Sequence, residues 1–298
     1  MTAPAITVLF ATCNGEAVVG KTLEAFRSVL DPGVPWDIVV IDNGSTDATP
    51  RIIGECLGAL PLTVLHCPKP GKNAALNIGI NSCRGELIVI VDDDVLPDQD
   101  FLRAWSRYLL AQKEHALLGG RIIPRFAEGV PAWLEADTRH HALMFSLRDL
   151  PEGEIEAGDI YGCNMAVRRA IFDRGFRFDE DIGPNRANPT YRMGSEVEFL
   201  RRVARSGEKS WFARGPKVDH MVRPSQWSED AWANRGYRCG LGRAYLMIRE
   251  QRTMAPPPVT LRQKVAARLP FDSVRLPALS AIRLRQGFDD ELRAAGRK

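Results

Sequence analysis

The residues best suited to chemistry lie in one stretch, "ELIVIVDDDVLPDQDFL", residues 86–102. Five apolar residues lead into Asp92, Asp93 and Asp94. Adjacent carboxylates repel one another and each favours water, so a strand of buried character that ends in three of them needs a reason. A D-x-D pair presents two carboxylates one residue apart. Hard divalent cations such as Mg²⁺ and Mn²⁺ take oxygen ligands, often one or two carboxylates completed by substrate phosphates. On this chemistry Asp92 and Asp94 divide the work between a phosphate-bearing ligand and a metal. The bland alternative is a solvated acidic turn, or a helix N-cap ahead of "PDQDFL".

A second acidic site follows in "GSEVEF". Ser195 and Glu198 have the S-x-x-E spacing of a capping box, with Ser195 as N-cap and Glu198 at the third helical position. Glu198 is thereby given a structural role, and Glu196, at the first helical position, is left to face a cleft. Its alternative is simple placement on the positive end of the helix dipole.

Alternating strand and helix signals must position these groups. The runs "AITVLFA" (5–11), "WDIVVID" (36–42), "LTVLHC" (62–67) and "ELIVIVDDD" (86–94) read as strands. "VVGKTLEAFRSVL" (18–30), "ATPRIIGECLGAL" and "KNAALNIGINSC" (72–83) read as the helices between them. This βαβ alternation predicts an α/β fold with a mostly parallel sheet, and the continuously apolar strands predict helices on both faces. In such sheets ligands bind beyond the carboxyl ends of the strands. "ATCNG", "DNGSTD" and "DDD" all stand at those ends, so the three polar clusters should converge on one edge.

The pattern then loosens. A helix over about 100–113 precedes a strand in "LLGGRIIPR", and residues 124–160 read as an irregular lid. "GCNMAVRRAIF" begins a second structured part. "TMAPPPVT" marks a break near 251, and the tail carries ten Lys/Arg against four Asp/Glu, a charge of +6. The whole chain carries +3, so the other residues sum to −3. A basic, partly amphipathic tail suits an anionic membrane surface or a packed helical appendage equally. The expected domains are 1–250, with a nucleotide half to about 120 and an acceptor half and lid over 121–250, and an appendage over 251–298.

With 45% hydrophobic residues a sizeable core is expected, and the weak net charge gives no sign of a nucleic-acid partner. The six cysteines form no C-x-x-C pair, so neither a zinc site nor a disulfide framework is expected. No apolar run approaches the ~18 residues of a membrane span. The N-terminus reads as a strand and not as a signal peptide. A soluble, cytoplasmic protein is expected.

The motifs "VLFATCNGE", "DIVVIDNGSTDAT", "GKNAALNIGINSCRGELIVIVDDDVLP", "YGCNMAVRRAIFDRGFRFDEDIG" and "GSEVEFLRRVARSG" resemble glycosyltransferase family 2 in type, order and spacing, over about residues 5–245. The resemblance implies a GT-A fold, with a smaller acceptor-binding part. It also implies inverting transfer of a sugar from a nucleotide-sugar, with a UDP-sugar favoured, to a hydroxyl on a glycan or lipid-linked acceptor.

Asp42 then matches the aspartate that contacts the nucleobase or ribose, and Ala11, Thr12 and Cys13 would flank the base. "ATCN" replaces the commoner "PTYN", so an aromatic wall is missing. Lys72 falls where a basic residue often faces the nucleotide. Asp92 and Asp93 go to the nucleotide side, with the part played by Asp93 left open. Asp94 goes to the Mn²⁺ or Mg²⁺ ion, and His220 matches a place for a metal or diphosphate ligand.

Gly162 and Asn164 would lie near the donor sugar, and Arg223 near the diphosphate. Glu196 occupies the place of the catalytic base, where Asp is commoner. A lone histidine, a surface arginine and a helix-start lysine each have ordinary structural readings as well. The "QxxRW" signature of processive synthases is missing, which favours transfer of a single sugar. The alternatives are a nucleotidyltransferase, which would show a basic Gly-rich loop after the first strand, and a non-catalytic nucleotide-sugar-binding relative.

Overall fold

The structure is a computed structural model that describes residues 5–136, 138–251 and 255–296. It contains strands β1 (Ile6–Thr12), β2 (Trp36–Asp42), β3 (Leu62–His66), β4 (Leu87–Val91), β5 (Val95–Pro97), β6 (His115–Phe126), β7 (Gly153–Glu154), β8 (Asn164–Arg168) and β9 (Lys209–Val222). The helices are α1 (Val19–Arg27), α2 (Thr49–Glu55), α3 (Lys72–Ile80), α4 (Phe101–Ala111), α5 (Ala132–Ala136), α6 (His141–Phe145), α7 (Arg169–Asp173), α8 (Ser195–Ala204), α9 (Glu229–Arg249), α10 (Leu261–Ala266) and α11 (Asp272–Ala294).

The chain divides into two compact units. The first holds residues 1–125, 146–180 and 196–221, and the second holds 126–145, 181–195 and 222–298. The sheet runs in the order β3-β2-β1-β4-β8-β6-β9-β5, with β7 beside β9. Its first four strands are parallel, as the βαβ pattern requires. The later strands join antiparallel, β8 on β4 and β6, and β5 and β7 on β9. The strand order reverses where β1 lies between β2 and β4, the place at which open α/β sheets bind ligands.

Both sheet faces are covered, which explains the continuous apolar runs. Ile6, Val8 and Phe10 pack with Val19, Leu23 and Phe26 of α1 and with Phe101, Leu102 and Trp105 of α4. Leu9, Ala11 and Ile41 point the other way, onto Ala74, Ala75, Leu76 and Ile80 of α3. Phe199, Leu200 and Val203 of α8 close that second face, with Phe199 stacked on Phe172 and Phe178.

Two readings from sequence are refined. Strand β4 ends at Val91, so the three aspartates form a turn and not a strand end, and Val95–Pro97 makes a further short strand on β9. The segment read as an irregular lid carries the long end of β6, the short helices α5 and α6, and β7. Its apolar residues explain that order: Leu134, Met144 and Phe145 are buried with Trp232 and Leu276 in the core of the second unit.

In that unit α9 packs along α11, the long helix of the tail. A Cβ at Gly240 would lie 2.0 Å from the Leu284 carbonyl, and one at Gly287 would lie 2.1 Å from that of Tyr237. The two helices therefore touch backbone to backbone at glycine. Among the described residues no helix is long and apolar enough to cross a membrane.

Candidate active site

The loops after β1, β2 and β4 do meet. The Thr12 carbonyl accepts from Asn43 N at 2.8 Å, and Thr12 Oγ1 donates to Asp93 Oδ2 at 2.5 Å. Asn14, at φ 53°, accepts from Thr46 N through Oδ1 at 2.8 Å. Asp42 ends β2 almost buried. Its Oδ1 accepts from Ser45 N at 3.0 Å, and its Oδ2 lies 3.5 Å from His66 Nδ1. Ala11 and Thr12 are buried at the end of β1, and Cys13 beyond them is half-buried.

Asn43, next to Asp42, has a role that was not read from sequence. Its Nδ2 donates to the carbonyls of Cys67 and Lys69 at 3.0 and 2.7 Å, and its Oδ1 accepts from Gly71 N at 2.9 Å. Asn43 thus shapes the loop that delivers α3. Gly71 turns into that helix at φ 130°, a conformation open to glycine, and Lys72 follows as the first helical residue.

Lys72 reaches Asp92 in an ion pair whose side chains are each about a quarter exposed, at 24% and 23%. The second Asp92 oxygen accepts from the Cys163 thiol at 3.1 Å. Burial pushes the Asp92 carboxyl up, but Lys72, the Cys163 thiol and His220 together hold it below the usual carboxylate range. Burial likewise opposes the charge on Lys72, and the Asp92 and Glu196 carboxylates more than offset it, so the ammonium is held. Burial and the charges of Asp92 and Asp94 raise Cys163 well above an ordinary thiol. It stays protonated, as a hydrogen-bond donor must. Cys163 was also missed from sequence, where it read only as a buried small residue.

Asp93 sits in a different environment. Burial, with repulsion from Asp94 and Asp92, pushes it up to about 6 despite the Thr12 hydroxyl. Its carbonyl accepts from Thr22 Oγ1 of α1 at 2.7 Å, which fixes the turn. Asp94 meets β9. Its carbonyl accepts from Met221 N at 2.8 Å, and its Oδ1 lies 3.5 Å from His220 Nε2, with both side chains about nine-tenths buried. The β5–β9 ladder sets this pair by placing Val95 opposite His220.

Among the described residues no three His, Cys, Asp or Glu side chains form a ready-made cation site. Asp94 and His220 supply one oxygen and one nitrogen donor. That set fits a divalent cation whose remaining ligands are phosphate oxygens and water.

Glu196 is the second residue of α8, which already includes the Ser195 expected to cap it, and lies against Gly162, where a Cβ would stand 3.6 Å from the Glu196 carboxyl carbon. Its charge acts on Lys72. The structure therefore brings Lys72, Asp92, Asp94, Gly162, Glu196 and His220 together in the first unit.

Asn164 is placed otherwise than expected. It is fully buried, and its Nδ2 donates to the carbonyls of Arg121 and Pro216 at 2.9 and 3.1 Å, so its amide braces β6 and β9. Arg223 belongs to the second unit, where its N donates to Gln226 Oε1 at 2.7 Å. Glu198 is structural through the two bonds it accepts from Arg202, at 2.8 and 2.8 Å. Asn77 pairs with the backbone of Phe178 and is structural as well.

A parallel sheet with polar loops at its order reversal, extended by antiparallel strands and carrying an acid–imidazole pair on that edge, defines a GT-A architecture. The fold is shared with a mannosyltransferase of Pyrobaculum calidifontis solved with GDP-Man and Mn²⁺ (TM-score 0.59, 19% identity, 99% of this chain and 76% of that one). It is shared too with S. aureus TarS 1-349 in complex with UDP-GlcNAc (TM-score 0.56, 15% identity, 98% of this chain and 92% of that one).

The family profile described as Glycosyl transferase family 2 matches residues 7–176, and the chain belongs to that family. Glycosyltransferase AglE of Haloferax volcanii is 25% identical over 226 residues, 75% of this chain and 69% of that protein. A beta-monoglucosyldiacylglycerol synthase of Synechocystis is 28% identical over 176 residues, 57% of this chain. The match spans only 36% of that synthase's own length.

Proposed function

We propose that the chain is a metal-dependent, inverting glycosyltransferase that moves one sugar per encounter from a nucleoside-diphosphate sugar, with a UDP-sugar favoured, to a hydroxyl of a glycan or lipid-linked acceptor. The observation that carries this reading is the meeting of Glu196, Lys72–Asp92 and Asp94–His220 on the carboxyl edge of the sheet. Asp42 and the backbone around Thr12 would hold the nucleoside, since a carboxylate accepts from an imide N–H or from ribose hydroxyls. Asp94 and His220 would hold Mn²⁺ or Mg²⁺, which when bound neutralises charge on the diphosphate. Two relatives, the beta-monoglucosyldiacylglycerol synthase and the succinoglycan biosynthesis protein ExoM of Rhizobium meliloti, support the lipid and glycan acceptor types respectively.

In the transfer, the Glu196 carboxylate takes the proton of the acceptor hydroxyl as its oxygen attacks the anomeric carbon. The bond from that carbon to the phosphate oxygen breaks with inversion, and the nucleoside diphosphate leaves with the electron pair. Lys72 sets a fixed positive charge beside the leaving group, and Gly162 leaves room beside Glu196 for the sugar. Cytoplasmic location, with the tail over 251–298 resting on the inner face of the membrane, completes the reading.

The test is nucleotide release from a panel of nucleotide-sugars, with UDP, GDP and dTDP followed from the diphosphate donors and CMP from CMP-sugars, with Mn²⁺, for wild type and Glu196→Gln. Glu196→Gln should lower kcat by roughly 10²–10⁴-fold with donor affinity kept. Full turnover in that variant removes Glu196 as the base.

A further inference from the structure

Among the described residues, five large exposed apolar side chains crowd between residues 261 and 274. Leu261 is 76% exposed, Val265 55%, Leu269 37%, Phe271 66% and Val274 43%. Leu261 and Val265 are four residues apart on one face of α10, and Leu269 and Phe271 follow in the turn before α11. This is not loose chain. The Thr260 hydroxyl accepts from Gln263 N at 3.2 Å in a capping box, and α11 behind it buries Leu276, Leu284 and Phe288.

The basic residues of the same stretch are unlike those further along the tail. Arg285 pairs with Asp289 at 2.7 Å, Arg293 with Asp290 at 2.5 Å, and Arg275 with Asp272 and Glu229. Arg262, Lys264 and Arg268 are exposed, and among the described residues none makes an ion pair.

We propose that residues 261–274 form a docking surface for an anionic lipid bilayer. The inference rests on the peripheral membrane part of the function proposed above and narrows it from the whole tail to this patch. Phosphate-bearing headgroups would meet Arg262, Lys264 and Arg268, while Leu261, Val265 and Phe271 enter the boundary of the acyl chains. The charge pattern selects this occupant. Three exposed cations interleaved with exposed apolar side chains complement anionic headgroups over an acyl boundary.

The experiment is co-sedimentation of the full chain with phosphatidylglycerol and phosphatidylcholine vesicles. Wild type should pellet with the anionic vesicles and be released by added salt. Arg262→Glu, Lys264→Glu and Arg268→Glu together should lower the partition coefficient roughly a hundredfold. Leu261→Ser with Phe271→Ser should lower it about tenfold. Leu110→Ser, a change at an exposed apolar residue 64% accessible on α4, should leave it unchanged. All the variants should keep wild-type nucleoside-diphosphate release.

Wild-type pelleting that these tail substitutions leave intact would overturn this surface while the membrane reading stands. No pelleting of wild type on either vesicle would overturn both. Equal pelleting on the two lipids would overturn the anionic selection. Loss of self-association in the variants without any loss of pelleting would reassign the patch to a second copy.

Discussion

The two ends of the Asp92–Asp94 turn are built differently. At Asp92 both carboxylate oxygens are engaged, one by Lys72 and one by the Cys163 thiol, and the charge is balanced within the protein. At Asp94 one carboxylate oxygen lies 3.5 Å from His220 Nε2, longer than an ordinary hydrogen bond. A buried carboxylate is stable only when its charge is met. The first end meets it with Lys72 and the Cys163 thiol, whereas the second sets a carboxylate beside an imidazole, an oxygen and nitrogen donor set of the kind that divalent cations take. On this difference we propose positioning for Asp92 and ligand chemistry for Asp94, a division that the D-x-D spacing alone leaves open.

The contrast breaks most visibly at Asp94. Asp94→Asn should lower turnover by roughly 10³-fold, about 4 kcal/mol of transition-state stabilisation, with the fold intact. Thermal shift should then show wild type stabilised by UDP with Mn²⁺, and the variant no longer responsive to the metal. A variant that binds and uses Mn²⁺ normally would move the cation elsewhere. Lys72→Met acts on the other end, by stability. It leaves Asp92 with one neutral donor, and breaking a buried pair in this way costs about 3 kcal/mol, at the low end because the pair is a quarter exposed. Urea unfolding should show the loss, and Lys72→Met with Asp92→Asn should recover much of it. If the double variant is no more stable than the single one, the pair is not what holds Lys72 in place.

Local signals were enough for the parallel half of the sheet and for the convergence of its loops. Four apolar runs linked by helices make a parallel sheet whose carboxyl ends share one edge, and with polar clusters after three of them the contacts of Thr12 with Asn43 and Asp93 follow. The antiparallel half depends on pairings between distant strands, which periodicity does not encode. Periodicity therefore leaves His220 a lone histidine, a candidate ligand through the family resemblance alone, and its neighbour Asp94 is given by the pairing of β9 with β5.

Cys163 and Asn43 were hidden for a related reason. A thiol and an amide carry no charge pattern, and their partners lie 71 and 24–28 residues away. Asn164 erred in the other direction, since a polar residue in a tight motif reads as a ligand contact even when strand carbonyls claim it. Glu198 is structural on another ground than the capping box: α8 already includes Ser195, and Glu198 is held by Arg202 one turn on.

The smallest expected effect concerns Asp93, which lies between the two ends and shares the character of neither. Its carboxyl, raised to about 6 by burial and by repulsion from Asp94 and Asp92, is above the ordinary 3.8 of an unfolded chain. A raised carboxyl binds its proton more tightly when folded. Its stabilising contribution is therefore full below about pH 4 and is lost as pH rises through 6. The shift corresponds to about 3 kcal/mol at most, and water reaching the turn reduces this to roughly 2. Urea unfolding between pH 4.5 and 7.5 should show wild type losing that much relative to Asp93→Asn. Equal slopes would mean that Asp93 is not the buried acid. Because Asp94 supplies part of the repulsion, Asp94→Asn should flatten the wild-type slope, whereas Lys72→Met, by removing a cation that lowers the same carboxyl, should steepen it. Opposite changes in one titration would show that Asp93 feels both ends of the turn, with the two ends acting on it in contrary senses.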